Sequence, residues 1–458
     1  MRSLRPLLLA SVLFTVLLAP AAAAEPAPAA QSTDVTFTGG GGTTLHGSVI
    51  ASAATPSGAP GIVLVGGAGS GPRTEYLAEA RAFAAAGITA LIYDKRTTGY
   101  SRTHRDFDLL ADDALAAVET LRHTPGVRAD QVGLWGFSEG GWVAPAVAAR
   151  SADVAFLITL GAPGFTPLRT QTWSLAETLR HHGDTGPLAG VVAGPAARLL
   201  GETGAFPEAA FDPLPGLRGV HVPVLALWGA RDVQVPPAES AAVLRDSLTA
   251  SPSVTIRFVA GGAHNGRSTT DGFDRPGAAA GPGAPRGAFA PGYLDTMTGW
   301  VNQVANAAAP VSSAEPVPAQ ARSSTDPGHG WWASAWVQLV VFAAVLAGFL
   351  ASLFMNRRLG SARPSALFGL LSLVATVVYV ESILAQSART VGPVVAGRPL
   401  IWLILQGLAI LTVALLAVTA AAAVRDRAAA SRAGLVVLLA AGSAWLAWAI
   451  TWGLFAIR

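Results

Sequence analysis

The chain has 458 residues, more than one ordinary domain holds, and 51% of them are hydrophobic against 13% charged. That balance excludes a disordered chain, which would be polar and highly charged. The net charge is only +3, Lys95 is the single lysine, and the arginines form no basic stripe, so no nucleic-acid partner is expected; with no cysteine there is no disulfide, thiolate metal site or cysteine nucleophile.

Residues 1–24 read as a secretory signal peptide. Arg2 and Arg5 start it, an apolar run covers 7–18, and Ala22-Ala23-Ala24 fits a cleavage site. The alternative is an uncleaved anchor helix, and both readings place the residues after it outside the cytoplasm. An Ala/Pro-rich tether is expected over 25–33. From 34 to 307, strand-like apolar runs (61–66, 88–93, 132–137, 155–160, 222–228 and 254–259) alternate with helical patterns at 75–86, 106–121 and 142–150. This alternation predicts an α/β domain, a mostly parallel sheet with helices on both faces. The Gly/Ala/Pro-rich stretch 276–291 reads as a long loop inside it, and 308–332 as a linker.

Four apolar stretches come next, at 334–355, 366–386, 400–424 and 433–457, each long enough to cross about 30 Å of hydrocarbon as a transmembrane helix. Arg357, Arg358 and Arg363 follow the first and Arg425, Arg427 and Arg432 the third, whereas the loop between the second and third holds only Arg389 and Arg398. The positive-inside rule puts the first two groups in the cytoplasm and the α/β domain outside. Trp331, Trp332, Trp336, Trp402, Trp448 and Trp452 then fall near the outer ends, as an interfacial belt would. The expected location is the cell membrane, multi-pass. Glu381, the one charge within the spans, sits close enough to an outer end to be solvated.

The chemistry centres on Gly136-Phe137-Ser138-Glu139-Gly140, a G-x-S-x-G run that follows an apolar strand and precedes a helical pattern. That is the setting of a nucleophile elbow, a tight turn that pushes a serine out at the carboxyl edge of the sheet. A serine nucleophile needs a base, and the base an orienting acid, in the chain order Ser, Asp, His. Asp232, in Gly229-Ala230-Arg231-Asp232, and His264, in Gly261-Gly262-Ala263-His264-Asn265, each follow a strand and complete the set. His221 precedes its strand and lies at the wrong edge. Oxyanion donors are expected from the Glu139 N–H and from the glycine-rich loop 66–71, with Gly67 or Ala68 the candidate. That loop lacks the endings of a P-loop or a dinucleotide site, and no cluster has metal-ligand spacing, so neither cofactor nor metal is expected. Arg73 could bind a substrate carboxylate, but a structural pairing is favoured.

On these residues, together with the turn Tyr93-Asp94-Lys95-Arg96-Thr97-Thr98-Gly99-Tyr100-Ser101 and Phe289-Ala290-Pro291-Gly292-Tyr293, the domain resembles the α/β-hydrolases, above all dienelactone-hydrolase-like and serine-aminopeptidase-like bacterial esterases. The resemblance covers about 60% of the chain. It departs at Gly66-Gly67, where many members carry His-Gly, and at Thr97, where they carry Gly. It implies that 163–220 is a lid; Phe165, Trp173, Leu175, Leu179, Phe206 and Phe211 in it suggest an apolar acyl or aryl group in the substrate. The reading is a membrane-anchored serine hydrolase that cleaves a small-molecule ester or thioester. The alternatives are a serine peptidase or amidase, and a non-catalytic ligand-binding domain coupled to the membrane helices.

Overall fold

The computed structural model describes residues 30–53, 55–101, 103–274, 287–308, 310–326, 330–355, 360–425 and 432–457. The signal peptide, residues 25–29 of the tether, most of the 276–291 loop, and Arg357, Arg358 and Arg427 lie outside them.

The apolar runs read as strands are strands: β3 (Ala59–Val65), β4 (Thr89–Tyr93), β5 (Val127–Phe137), β6 (Leu157–Leu160), β7 (Val224–Gly229) and β8 (Val254–Val259). They are preceded by a hairpin, β1 (Ala30–Thr38) and β2 (Thr44–Ser52), and followed by a short β9 (Ser313–Ala314). The sheet order is β1-β2-β4-β3-β5-β6-β7-β8-β9; β2 runs antiparallel to both neighbours, and every pair from β4 to β9 is parallel. The tether reading of 30–33 is corrected, because these residues start β1. Most of β1 is exposed, and an exposed edge strand offers little apolar signal. A parallel strand covered on both faces reads instead as a continuous apolar run, as β3 does, buried along its whole length.

Alternate side chains of each strand enter separate cores. Val63 and Val65 pack with α2 (Phe107–Arg122), α3 (Gly140–Arg150) and α8 (Pro237–Ser247), whereas Ile62 and Leu64 pack with α1 (Leu77–Ala85) and α9 (Tyr293–Ala305). Arg96, in the turn after β4, forks onto Asp113 of α2 at 2.6 Å through both Nε and Nη2, and the pair is almost fully buried. Asp113 also accepts the Gly40 N–H, which ties α2 to the turn between β1 and β2.

The insertion between β6 and β7 holds α4 (Pro167–His181), α5 (Leu188–Val191), α6 (Ala197–Glu202) and α7 (Leu214–Arg218). Its apolar side chains divide: Leu217 and Val220 join the core over the sheet, with Phe211 packed against it. Leu175, Leu179, Leu188, Val191 and Val192 join one cluster with the four C-terminal helices. The linker is likewise ordered: β9 pairs with β8, Ser324 Oγ accepts from Arg169 Nε at 2.8 Å, and the Arg322 carbonyl accepts the Trp173 indole N–H at 3.2 Å.

Those helices are α10 (Ala335–Met355), α11 (Ala362–Ala385), α12 (Leu400–Arg425) and α13 (Arg432–Thr451), each long and apolar enough to cross a membrane. The bundle buries hydroxylated side chains beside large ones such as Phe349, Trp402 and Trp445, and it exposes many large apolar residues. Ser352, Ser365, Ser372, Thr376, Thr412 and Thr419 are fully buried, while Val340, Phe354, Leu367, Val378, Ile404 and Val436 are exposed. Such an apolar exterior would be a liability in water; against lipid it is expected, because the solvent is as apolar as leucine. The tryptophan belt is only half as expected. Trp331, Trp332 and Trp336 are exposed, but Trp402, Trp448 and Trp452 are buried, with Trp448 and Trp452 stacked and the Trp452 indole donating to Gln338 Oε1 at 2.9 Å.

Between α11 and α12 the chain forms a compact loop containing a hairpin, β10 (Val394–Val395) and β11 (Arg398–Pro399). The Gly397 carbonyl of this hairpin accepts the Thr185 N–H of the lid at 2.8 Å.

Candidate active site

Ser138 follows β5 and has φ +53, a left-handed backbone on a residue with a Cβ. Such strain persists only where the surroundings over-determine it, and it is the geometry of a nucleophile elbow. The flanking glycines are steric necessities. A Cβ on Gly136 would lie 2.3 Å from the Gly140 carbonyl oxygen, and one on Gly140 would lie 2.3 Å from that of Val65. The Ser138 N–H bonds the Leu160 carbonyl of β6 at 2.9 Å, which anchors the turn.

Asp232 and His264 come from the turns after β7 and β8. The turns touch because β7 ends in glycine: a Cβ on Gly229 would lie 2.2 Å from the Ala263 carbonyl oxygen. Backbone bonds from Ala230 to Val259 and from Arg231 to Gly262 hold them together. Asp232 Oδ2 lies 2.7 Å from His264 Nδ1, while its Oδ1 accepts the N–H groups of Gln234 and Val235. Both side chains are almost fully buried. A carboxylate so held fixes the imidazole with Nε2 free for other work. The ring rests on Phe137, centroids 5.0 Å apart, and on Gly161 at the end of β6, where a Cβ would lie 2.7 Å from Cε1. His264 and Ser138 line one cavity of about 200 Å³.

The two expected donors of the glycine-rich loop separate. Gly67 gives its N–H to Tyr76 Oη at 2.9 Å, so it is not available to an oxyanion. Its place is steric, since a Cβ there would press on Phe137 and approach Ser138 Cβ to 3.3 Å. Ala68 lines the cavity beside Ser138, as does Glu139, whose N–H belongs to the unpaired first turn of α3.

Sequence reasoning missed how this loop is held. The Glu139 side chain is buried and forms ion pairs with Lys95 and with Arg105, the latter at 3.2 Å. Lys95 Nζ also donates to the Gly67 carbonyl at 2.6 Å. Tyr100 Oη donates to Glu139 Oε1 and accepts the Gly69 N–H, both at 2.8 Å. Burial pulls the Lys95 ammonium below the usual lysine value, with Glu139 opposing. Burial and the Glu139 charge together push the Tyr100 phenol up, so it stays a donor. The available signal was the single lysine of the chain standing in the turn after β4. Arg73 proves structural: it binds Asp94 at 2.5 Å and Asp34 at 3.1 Å.

The lid contributes polar groups to the cavity. Thr170, Gln171 and Ser174 line it, and of the six lid residues expected to make an apolar pocket only Phe206 does. Leu175 and Leu179 are taken by the bundle, and Phe211 packs edge-on against Phe107 at 4.8 Å. Two further lining residues, Ser387 and Arg389, come from the loop between α11 and α12. The sequence offered Arg389 only as a topology marker.

A serine at a strained turn after β5 and an Asp–His pair from the turns after β7 and β8, set on a mostly parallel sheet, decide the architecture. The fold is the α/β-hydrolase fold. No family model matches the chain. Solved structures of similar fold include DcsB in complex with its substrate analogue, 18% identical, covering 60% of this chain and 100% of that one at a TM-score of 0.41. The 2,6-dihydroxy-pseudo-oxynicotine hydrolase is 18% identical, over 62% of this chain and 70% of that one, TM-score 0.41. The dienelactone hydrolase of Anabaena variabilis is 20% identical, over 59% and 94%, TM-score 0.35. A curated relative, polyketide transferase ATR5 of Stachybotrys chlorohalonatus, is 34% identical over 193 residues, 38% of this chain. The chain spans 63% of that relative's length.

Proposed function

We propose that this hydrolase-fold chain is a membrane-anchored serine hydrolase whose catalytic domain faces out of the cytoplasm and cleaves carboxylic esters or thioesters. One observation carries the reading: Ser138, strained at φ +53, shares a cavity with a buried His264 that is hydrogen-bonded to Asp232. Strain of this kind and a carboxylate-oriented imidazole are costly to maintain and serve acyl transfer.

In the proposed cycle Ser138 Oγ attacks the carbonyl carbon while His264 Nε2 takes its proton. Asp232 stabilises the imidazolium without accepting that proton. The Glu139 and Ala68 N–H groups hold the oxyanion. Collapse of the tetrahedral adduct expels the alcohol or thiol, which leaves with the proton from His264. A second acceptor, activated by the same base, then frees the acyl group. Water is that acceptor in a hydrolase; because the Stachybotrys relative is named a transferase, alcohols belong in the same assay. The outward orientation rests on the arginine distribution.

Full-length protein in detergent should take one fluorophosphonate adduct on Ser138, read by intact mass and peptide mapping. Ser138→Ala should abolish the adduct, and turnover of a 4-nitrophenyl ester should fall at least about 10⁴-fold. A folded chain that neither labels nor turns over any ester refutes the proposal.

A further inference from the structure

The cavity above Ser138 is not closed by the hydrolase-fold domain alone. Ser387 and Arg389, within four residues of the end of α11, also line it. This loop is built to hold its shape. Ser387 and Ala388 are left-handed, at φ 52 and 55. The Ala388 N–H bonds the Ile383 carbonyl at 2.8 Å, and Tyr379 Oη donates to the Val391 carbonyl at 3.3 Å. Ala388 and Val391 are buried in the cluster that joins lid and bundle. Arg389 is therefore carried by a fixed backbone.

The charges around the cavity do not balance. Arg105 and Arg389 both line it, and among the described residues the one carboxylate that lines it is Glu139, which already bears Lys95. Arg105 Nε is buried without an acceptor, and its guanidinium is packed against the Phe206 ring. Arg389 is exposed, and among the described residues it has no carboxylate within ion-pair distance. An excess of cationic groups in a concave site favours a ligand of opposite sign, and guanidinium suits carboxylate and phosphate oxygens.

We propose that the membrane part completes the substrate site: Arg389, with Arg105, binds an anionic group on the substrate while its carbonyl faces Ser138. The substrate class is a small ester with a terminal carboxylate or phosphate on its acyl side. The polar lid residues Thr170, Gln171 and Ser174 fit that class better than a long alkyl chain. The cavity of about 200 Å³ is below the roughly 300–1,000 Å³ of drug-sized sites, so the acyl part is short. The inference rests on the hydrolase reading above.

The test uses the full chain in nanodiscs and three 4-nitrophenyl esters of matched length: butyrate (neutral), the glutarate monoester (carboxylate) and 4-phosphonobutyrate (phosphonate). Wild type should prefer at least one anionic ester to butyrate by about tenfold or more in kcat/KM, and the two anionic arms tell which oxyacid is recognised. Arg389→Ala should cost that ester about 10- to 100-fold, mostly in KM, and cost butyrate far less, with Arg389→Lys between wild type and alanine. An unchanged size-exclusion profile and thermal unfolding transition show that the variants fold. Equal kcat/KM for neutral and anionic esters, or an equal loss on all three in Arg389→Ala, overturns the proposal and leaves the hydrolase reading standing. No turnover of any ester by folded wild type overturns both.

Discussion

The hydrolase-fold domain and the helical bundle both bury large side chains and differ in what they expose. In the domain, large side chains such as Trp135, Phe156 and Trp228 fill the interior. In the bundle, Phe349, Trp402 and Trp445 are buried too, beside buried serines and threonines, but large apolar residues also cover the outside. Gly369 shows how closely the helices approach, since a Cβ there would lie 2.4 Å from the Phe349 ring. The difference comes from the solvent. Water drives apolar area inward, whereas lipid leaves only contact and hydrogen bonding to hold helices together. The insertion between β6 and β7 belongs to both regions: Thr170, Gln171 and Ser174 line the cavity at Ser138, and Leu175, Leu179 and Leu188 are part of the bundle core.

The contrast can be broken most severely in the domain's buried charges. Arg96→Met leaves Asp113 buried without its partner and should cost about 3–5 kcal/mol, read as the loss of the domain's unfolding transition in tryptophan fluorescence. The same readout sharpens the comparison between interiors and exteriors. Phe156→Ala, in the domain core, should cost about 3–5 kcal/mol, whereas Leu371→Ala, on the outer surface of α11, should stay within about 0.5 kcal/mol in a bilayer. A large loss for Leu371→Ala would mean that this face packs against protein and not lipid.

A pH titration separates stability from activity at Lys95. Its ammonium sits below the usual lysine value, so as pH rises beneath 10.5 the folded chain releases a proton that the unfolded chain still holds. The unfolded state then binds more protons, and this contribution to stability grows with pH. Turnover should move the other way, because a neutral Lys95 no longer offers charge to Glu139 and to the Gly67 carbonyl. Lys95→Arg, which does not titrate there, should shift the alkaline fall in kcat/KM to higher pH. The elbow should show a change of the opposite sign: Ser138→Gly removes a left-handed Cβ and should stabilise the chain by about 1 kcal/mol while ending turnover.

Much of this molecule is written locally. The parallel strands, the elbow and the four apolar helices each show in a short window, because continuous burial, a glycine-flanked serine and hydrocarbon thickness each impose a local pattern. Ser138, Asp232 and His264 were legible for the same reason: each comes after a strand, and their order is fixed by the fold. The exposed strand β1 was not legible, having almost no buried side to reveal it. Nor was the choice between Gly67 and Ala68, which turns on the hydroxyl of Tyr76 nine residues away. Only the tertiary structure could decide that the lid's leucines face the bundle, that Lys95 and Arg105 share Glu139, and that Arg389 reaches the cavity from a loop more than 250 residues after Ser138. Such contacts depend on how separately folded surfaces meet, and chain distance carries no trace of that meeting.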